Sequence, residues 1–477
     1  MFIETSFYHL KILLPIIALC CGSIFALVAE SFLSKDGKHQ VLPWINMLFL
    51  AVSATFVKLV SGEFEEPWNL FSLNYVKEIF LYAIILCGAV GTAALQNTLK
   101  NKDTLCGEAY SLLMLSSSGI MLMVLSKDFM PLFLGMELAS FPIYALVAMN
   151  RHSKESNEAA FKYFISGAAL SAVFLYGIAL FYGATGTTLI SGSVLEGRET
   201  IYQAAIFMLT LGLLFKVGAF PLHFWVADAY TGALAAVTGY MAAVVKIGAF
   251  FGLGAMWVGL FGSTASVVIA REAVLFLCLG VASVVVGSLT GLTQISARRI
   301  LAFSAIANAG FILLGFCYSY FAKSQVMDLD SAYYFLLTYA IGSAGALAGI
   351  SALMHSNYDS FEDLHGAARK NPFLGACISV CLASLAGLPV AAGFLAKFRI
   401  FAGLVSASFE SPVVWGIAIL AFILAVISAT YYLRIIYFIW SHGRTEAKKR
   451  NKTSVLLDIN LGIATLALLA LAVRLPF

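Results

Sequence analysis

Long apolar stretches follow one another along almost the whole 477-residue chain. A transmembrane helix needs about 20 mainly apolar residues. We count fourteen stretches of this kind, separated only by short polar segments. They cover residues 11–32, 41–60, 77–96, 107–126, 129–149, 160–183, 201–227, 232–257, 271–292, 299–319, 332–354, 373–402, 412–440 and 455–475. The chain is therefore predicted to be an all-α polytopic membrane protein, with loops too short for a soluble domain.

The charge content agrees with this class. Only 11% of the residues are Asp, Glu, Lys or Arg, and 61% are apolar, whereas an ordinary soluble domain has roughly 25% charged residues. A soluble protein of this length needs far more polar surface. The composition thus excludes a cytosolic enzyme, a disordered chain and a nucleic-acid-binding protein.

The eight cysteines form no cofactor motif. None belongs to a CxxC pair, and no Cys–His spacing fits a zinc or iron–sulfur site. The sequence also has no glycine-rich dinucleotide loop, no Walker A loop and no HExxH motif. We therefore expect this chain to bind no metal and no redox cofactor of its own.

Basic residues are concentrated in alternate loops. An even-numbered loop instead carries the acidic residues Glu63, Glu65 and Glu66. The basic positions after odd-numbered stretches are Lys35, Lys38, Lys100, Lys102, Arg151, Lys154, Arg298, Arg299, Arg369, Lys370, Arg444, Lys448, Lys449, Arg450 and Lys452. The positive-inside rule places such loops in the cytoplasm, so both termini are expected on the non-cytoplasmic side.

Four ionisable residues fall deep inside the apolar stretches: Glu137, Lys216, Lys246 and Lys397. A charge at the bilayer centre costs at least about 2.5–3.5 kcal/mol on insertion scales. Such residues usually face the interior of a helix bundle or a hydrated path. The alternative is that each one snorkels to the headgroups or sits in a static ion pair. Their occurrence on four separate stretches favours a shared function.

Two of these stretches carry a proline close to the lysine. Pro221 follows Lys216 by five residues, and Pro389 precedes Lys397. A proline in a helix interior removes a hydrogen bond and kinks or breaks the helix. The seventh and twelfth stretches are therefore predicted to be discontinuous helices, as in transporters built from structural repeats.

A deeply buried lysine is suited to proton transfer. In a low-dielectric site a lysine holds its proton less firmly, and a nearby carboxylate restores its proton affinity. A lysine that gains and loses such a partner can therefore load and release a proton. Arginine cannot do this, because it stays protonated in proteins. The chain has no site that could supply energy for pumping, so we expect a partner to drive it.

Four further polar residues are weaker candidates for a proton path. His223 and Asp228 follow the break at Pro221, where they can form a proton entrance or simply a hydrogen-bonded helix end. Ser304 and Asn308 lie inside the tenth stretch. They can hydrogen-bond water between the two halves of the chain or serve ordinary helix packing.

At these residues the chain resembles the subunit N family of the proton-pumping NADH–quinone oxidoreductase, respiratory complex I. That family belongs to a wider antiporter-like group that includes Mrp-type cation/proton antiporter subunits. The matching segments are FLGMELASFPIYALVAM (133–149), EAAFKYFISGAALSAVFLYGIALFYGATGTT (158–188), FKVGAFPLHFWVADAYTGA (215–233), RRILAFSAIANAGF (298–311) and SLAGLPVAAGFLAKF (384–398).

The resemblance implies fourteen helices that include two inverted five-helix repeats. Residues 1–106 would hold the first three helices, and residues 107–257 the first repeat, helices four to eight. Residues 271–440 would hold the second repeat, helices nine to thirteen, and residues 455–477 the last helix.

The resemblance also implies a role for each buried charge. Glu137 matches the fifth-helix glutamate that pairs with the seventh-helix lysine, which is matched by Lys216. Lys246 matches the eighth-helix lysine of a central hydrated axis, and Lys397 matches the twelfth-helix lysine near the proton exit.

Two positions depart from the family pattern. Asn308 stands where relatives often have the histidine of an S-I-A-H-x-G pattern, so a titratable relay group is missing there. Val390 stands where the twelfth helix often has a second proline after Pro389. One proline should suffice for the helix break.

The resemblance implies a proton-translocating subunit of a bacterial inner membrane. FMN, iron–sulfur clusters and quinone are then expected in other subunits. The implied partners are sister antiporter-like subunits, small membrane subunits, lipid, water and protons. One alternative is a subunit of an Mrp-type cation/proton antiporter or of a membrane-bound hydrogenase. The other is a purely structural subunit, which would have no need of four buried charges.

Overall fold

The computed structural model describes residues 2–61, 70–99, 106–261, 266–323, 328–353, 361–441 and 453–473. The helices in these ranges are α1 (Phe2–Phe32), α2 (Lys35–Val60), α3 (Tyr75–Leu99), α4 (Cys106–Leu125), α5 (Phe129–Val147), α6 (Lys154–Thr185), α7 (Glu199–Val217), α8 (Phe224–Gly232), α9 (Ala235–Phe261), α10 (Ser266–Thr293), α11 (Ala297–Phe321), α12 (Asp330–Leu353), α13 (Phe361–Leu364), α14 (Ala367–Lys370), α15 (Pro372–Ala386), α16 (Ala392–Ser408), α17 (Val413–Trp440) and α18 (Val455–Val473).

Thirteen helices in the described part of the chain are long and apolar enough to cross a membrane. The pair α15–α16 accounts for the remaining predicted stretch, 373–402. A helix satisfies its own backbone hydrogen bonds and is therefore one of the few structures that can span lipid. The prediction of an all-α polytopic membrane protein is confirmed.

The seventh predicted stretch, 201–227, is discontinuous in the structure. Helix α7 ends at Val217, Gly218 has a left-handed φ of 73°, and α8 begins at Phe224. The backbone N–H of Phe220 donates to the Ser283 hydroxyl at 2.9 Å. A side chain of α10 thus satisfies a donor that the break releases, as membrane depth requires.

The twelfth predicted stretch is interrupted in a similar way. Helix α15 ends at Ala386, the following Gly387 has a left-handed φ of 78°, and α16 begins at Ala392. The N–H of Leu388 donates to the Ala383 carbonyl at 3.0 Å. The N–H of Gly393 donates to the Ser384 hydroxyl at 3.1 Å. The predicted break at Pro389 is therefore present.

Helix α5 runs without interruption through Pro142. Asp128 starts it, because its carboxylate accepts from the backbone N–H of Met130 at 2.7 Å. Such N-caps satisfy donors that the first helical turn leaves free. The continuous helix brings residues three, four and seven apart onto one face.

The chain forms two compact units. The first comprises Met1–Thr92, Leu99–Val217 and Val244–Ile269, and the second comprises Ala93–Thr98, Gly218–Ala243 and Ala270–Phe477. In the first unit α4 packs on α5 and α6 packs on α7. In the second unit α12 packs on both α15 and α16. The division into two inverted repeats, over residues 107–257 and 271–440, stays a prediction.

Several charges used to predict orientation lie outside the described residues. They are Glu63, Glu65, Glu66, Lys100, Lys102, Arg444, Lys448, Lys449, Arg450 and Lys452. The placement of the termini accordingly stays a prediction.

We expect a proline at position 390 to destabilise the break between α15 and α16. Val390 is highly exposed and has a φ of 77°, whereas the proline ring fixes φ near about −65°. Val390→Pro should therefore lower the thermal unfolding midpoint and the monodisperse fraction in detergent. Val390→Gly should keep both, because glycine adopts positive φ without strain. Equal stability of the two variants would contradict this account of the break.

Candidate proton-transfer site

Lys216 lies in the last turn of α7, directly before the helix break, and its side chain is only 2% exposed. Its Nζ donates to the Ser140 hydroxyl at 2.8 Å and to the Tyr144 hydroxyl at 3.0 Å. Both hydroxyls belong to α5. The buried ammonium is thus bound by two neutral oxygens.

Glu137, Ser140 and Tyr144 share one face of α5, since they are spaced three and seven residues apart. The Ser140 hydroxyl donates to the Met136 carbonyl at 2.5 Å. Its proton is therefore engaged, and the oxygen presents lone pairs to Lys216. The helix period places the carboxylate and both hydroxyls in one row.

The Glu137 carboxylate is half-buried and accepts a hydrogen bond from the Ser171 hydroxyl of α6 at 2.5 Å. The resemblance implied that Glu137 pairs with Lys216. Between these two described residues, no N–O distance of 4.0 Å or less joins the ammonium to the carboxylate. The structure instead gives each group its own hydroxyl partners, because Ser140 and Tyr144 lie closer to Lys216 on the same helix face.

The Tyr144 ring is held in place by aromatic neighbours and by a glycine. It makes edge-to-face contacts with Tyr163 and Phe164, at centroid distances of 4.7 and 5.6 Å. A methyl group built on Gly167 of α6 would overlap the Tyr144 hydroxyl oxygen. Only glycine leaves the space that this hydroxyl occupies beside Lys216.

Lys246 lies in the interior of α9, in the same unit as Lys216, and is 3% exposed. Its burial agrees with the sequence-based expectation that it is not a surface lysine. The role implied for it by the resemblance stays a proposal.

Lys397 lies on α16 and is 6% exposed. Its Nζ donates to the carbonyls of Leu385 at 3.1 Å and Ala386 at 2.9 Å. These are the last carbonyls of α15, which have no partner within their own helix. Lysine near a helix C-terminus is also favoured by the helix dipole. The predicted helix break therefore leaves free the two carbonyl groups that accept hydrogen bonds from Lys397.

A small cavity adjoins Lys397 within the second unit. Its volume of about 10 Å³ gives room for the centre of a single water molecule. The lining residues are Asn308, Phe335, Thr338, Tyr339, Ser384, Leu385, Gly393 and Lys397. Two of the residues singled out from the sequence, Asn308 and Lys397, thus line the same small cavity.

Asn308 and Ser304 are both buried on α11. The Asn308 amide donates to the Ser304 carbonyl at 2.9 Å and to the Tyr432 hydroxyl at 3.0 Å. The Ser304 hydroxyl donates to the Leu301 carbonyl at 2.9 Å. The amide therefore orients a buried tyrosine of α17.

His223 precedes α8 as its N-cap residue, Asp228 lies in the middle of that helix, and both are half-buried. The His223 ring packs against Phe220 at a centroid distance of 5.4 Å, and its buried Nδ1 has no hydrogen-bond partner among the described residues. Their assignment to a proton entrance stays a prediction.

The hydroxyl groups that surround the buried charges were not predicted from the sequence. Ser140 and Tyr144 could have been found from their spacing to Glu137 on one helix face. Ser171 and Tyr432 carried no comparable signal, because serine and tyrosine occur throughout the apolar stretches. Among the described residues, no cluster of three or more His, Cys, Asp or Glu is arranged to hold a metal ion.

The family match and the most similar curated proteins both name NADH–quinone oxidoreductase. Residues 126–428, more than half of the chain, match the family described as NADH:quinone oxidoreductase/Mrp antiporter, TM. The NADH-quinone oxidoreductase subunit N of Ruthia magnifica subsp. Calyptogena magnifica is 32% identical over 485 residues, covering 99% of this chain and 97% of that protein.

Solved structures show the same fold. A chain of respiratory complex I from Thermus thermophilus with bound Aureothin superposes with a TM-score of 0.78 at 28% identity, covering 96% of both chains. A chain of the Mrp complex from Dietzia sp. DQ12-45-1b reaches a TM-score of 0.79 at 18% identity, covering 99% of this chain and 95% of that one. The second likeness shows the fold alone. The chain belongs to the NADH:quinone oxidoreductase/Mrp antiporter transmembrane family and, within it, to the subunit N family.

Proposed function

We propose that this chain is a proton-translocating membrane-arm subunit of an NADH–quinone oxidoreductase. The observation that carries the proposal is Lys216, which is buried beside a helix break and held by two neutral hydroxyls on the helix face that also bears Glu137. Two neutral hydroxyls bind the ammonium without adding a fixed negative charge, so a nearby carboxylate can still compete for it.

Lys216 is proposed to exchange between two sets of partners. When it moves towards Glu137, the carboxylate favours its protonated form. When it returns to the hydroxyls of Ser140 and Tyr144, that electrostatic support is lost and the proton is released more readily. Lys246 and Lys397 are proposed as the later proton sites, with Lys397 nearest to the exit. His223 and Asp228 are proposed as the proton entrance.

The two carbonyl acceptors at the end of α15 support the role proposed for Lys397. A lysine ammonium has three N–H groups, and two of them are directed at Leu385 and Ala386. A neutral amine keeps two N–H groups and gains a lone pair. Lys397 can therefore lose and regain a proton without giving up either carbonyl bond.

The redox chemistry is proposed to occur in other subunits, which would bind FMN, iron–sulfur clusters and quinone. Sister antiporter-like and small membrane subunits would flank this chain in a bacterial inner membrane, with both termini on the non-cytoplasmic side. An antiporter subunit is the second candidate, because the chain shares its fold with a chain of the Mrp complex.

The two candidates are separated by purifying the native assembly. We expect mass spectrometry to find flavin and iron–sulfur subunits, and NADH-driven quinone reduction to be coupled to proton movement in vesicles. An assembly without redox subunits that exchanges sodium for protons would overturn the proposal in favour of the antiporter.

Alanine substitution should identify the relay in the first unit. In fully assembled complex, Lys216→Ala and Glu137→Ala should each lower proton movement and coupled turnover at least about tenfold, because a positioned proton-transfer group contributes about 10²–10⁴ in rate. Lys162→Ala and Glu158→Ala are matched controls, since this pair is solvent-exposed on α6, with an N–O distance of 2.7 Å. Normal pumping by an assembled Lys216→Ala complex would rule out the relay.

Lys397→Arg should keep the positive charge but block its loss. Arginine stays protonated in proteins, so we expect proton release to stall and coupled quinone reduction to slow at least about tenfold, within the range for loss of a proton-transfer group. Rates are measured in vesicles against Lys162→Arg. Wild-type turnover by Lys397→Arg would show that this residue does not load and release protons.

Gly167→Ala should displace the Tyr144 hydroxyl from Lys216, because the new methyl group overlaps the hydroxyl oxygen. We expect a several-fold loss of coupled proton movement, similar to that of Tyr144→Phe. Gly183→Ala lies on the same helix and meets no atom within 4 Å, so it should retain full activity. If Gly167→Ala and Gly183→Ala behave alike in assembled complex, the spatial role of Gly167 is refuted.

A further inference from the structure

We propose that Ser171 of α6 is a positioning residue for the charged pair, because its hydroxyl competes with Lys216 for the Glu137 carboxylate. The inference rests on the proposed proton-translocating function and adds to it a side chain that controls how readily Glu137 and Lys216 meet. It concerns the first unit alone, in which all three residues lie.

The Ser171 hydroxyl is directed at the carboxylate rather than at its own helix. It donates to Oε1 of Glu137 at 2.5 Å, and Ser171 is only 7% exposed. A serine inside a helix commonly donates to the carbonyl three or four residues earlier, as Ser166 of the same helix does to Lys162. Ser171 departs from that pattern, and its hydrogen instead binds a carboxylate on the neighbouring helix α5.

The packing of α6 on α5 fixes the level at which this hydroxyl is presented. Phe174 of α6 stacks on Phe133 of α5, with a centroid distance of 6.3 Å and an interplanar angle of 13°. On the other side of the hydrogen bond, Gly167 of α6 leaves the space that the Tyr144 hydroxyl of α5 occupies. The serine and the glutamate lie between these two contacts along their helices. The contacts therefore hold the two helices in the register at which hydroxyl and carboxylate face each other.

One face of α6 determines the partners of both charged groups. Gly167 and Ser171 are four residues apart and share that face. Gly167 gives room to the Tyr144 hydroxyl, which accepts from Lys216 at 3.0 Å, whereas Ser171 binds the carboxylate. Helix α6 thus keeps the ammonium and the carboxylate on separate partners in this conformation.

Removal of the Ser171 hydroxyl should favour the ion pair. A hydrogen bond to an ionised carboxylate is stronger than one between neutral groups, so Lys216 has to compete with it. Lys216 is bound to Ser140, three residues from Glu137 on the same face of α5, and its ammonium can replace a lost donor. A carboxylate beside the lysine favours the protonated form. Proton release from Lys216 should then become slower.

The serine can also release the carboxylate without being left unpaired. A buried donor that loses its partner is unfavourable. The Gly167 carbonyl lies four residues before Ser171, at the spacing to which helical serines commonly donate. Rotation of one side-chain bond can therefore redirect the hydroxyl when Glu137 pairs with Lys216. This alternative acceptor makes the hydrogen bond reversible during turnover.

Substitutions at position 171 test the role of the hydroxyl. In assembled complex, Ser171→Ala should slow coupled proton movement about three- to tenfold, less than the 10²–10⁴ expected for a lost transfer group, because both charged residues remain. Ser171→Thr keeps a hydroxyl and should restore the rate, whereas Ser171→Val has a similar shape without the hydroxyl and should stay slow. Ser166→Ala is the matched control, since Ser166 lies on the same helix and donates to its own helix backbone at 2.6 Å.

A double variant shows whether Ser171 acts through Glu137. If it does, Ser171→Ala combined with Glu137→Gln should be no slower than Glu137→Gln alone, because the carboxylate that the hydroxyl positions is already absent. Infrared difference spectra give a second readout. The carboxylate band that disappears in Glu137→Gln should shift in Ser171→Ala and stay in place in Ser166→Ala.

The outcomes separate this inference from the proposed function. Slow alanine and valine variants, a faster threonine variant and a non-additive double variant would support it. A wild-type rate for Ser171→Ala, a threonine variant no faster than the valine variant, or losses that multiply in the double variant would overturn it. Lys216→Ala is measured in parallel. Normal pumping in that variant would refute the proposed function, whereas slow pumping there with a normal Ser171→Ala would refute the role of Ser171 alone.

Discussion

Backbone groups released inside a membrane have to find partners within the protein, and both functional regions of this chain depend on that requirement. Where α15 ends, the Leu385 and Ala386 carbonyls accept from Lys397. A buried acceptor left without a partner costs about 1–3 kcal/mol, so two such carbonyls would make an isolated break expensive. The lysine that stabilises the break is also the group that can carry a proton. Structural and chemical roles are therefore combined in one side chain.

The partners of Lys216 indicate why hydroxyls, rather than a carboxylate, hold it in this conformation. A hydrogen bond from a charged group contributes about 1.5–3 kcal/mol, so two hydroxyls give about 3–6 kcal/mol. An ion pair at 4 Å contributes about 4 kcal/mol at an effective dielectric constant of 20. The two arrangements are of similar strength, which is the condition for a lysine that exchanges between them. A much stronger ion pair with Glu137 would hold the proton permanently.

The fold and the charged residues could be predicted from sequence because each leaves a strong signal. Repeated apolar stretches of helix length are typical of membrane proteins, and a lysine within one is rare enough to stand out. The partners of those lysines could not be predicted in the same way. Ser140 and Tyr144 are ordinary residues for an apolar helix, and only their contacts with Lys216 assign them a role. In this conformation Lys216 and Glu137 have separate hydroxyl partners, and the pairing between them stays a prediction.

The two departures from the family pattern illustrate the same dependence on tertiary context. At residue 390 the backbone has a φ of 77°, a conformation that excludes proline, and the helix break is present with valine at this position. At residue 308 an amide replaces a titratable ring, and the structure surrounds it with the hydroxyl of Tyr432 and the cavity shared with Tyr339 and Lys397. Loss of a titratable group at one position need not interrupt proton movement, provided that neighbouring hydroxyls and a water form a continuous hydrogen-bonded path.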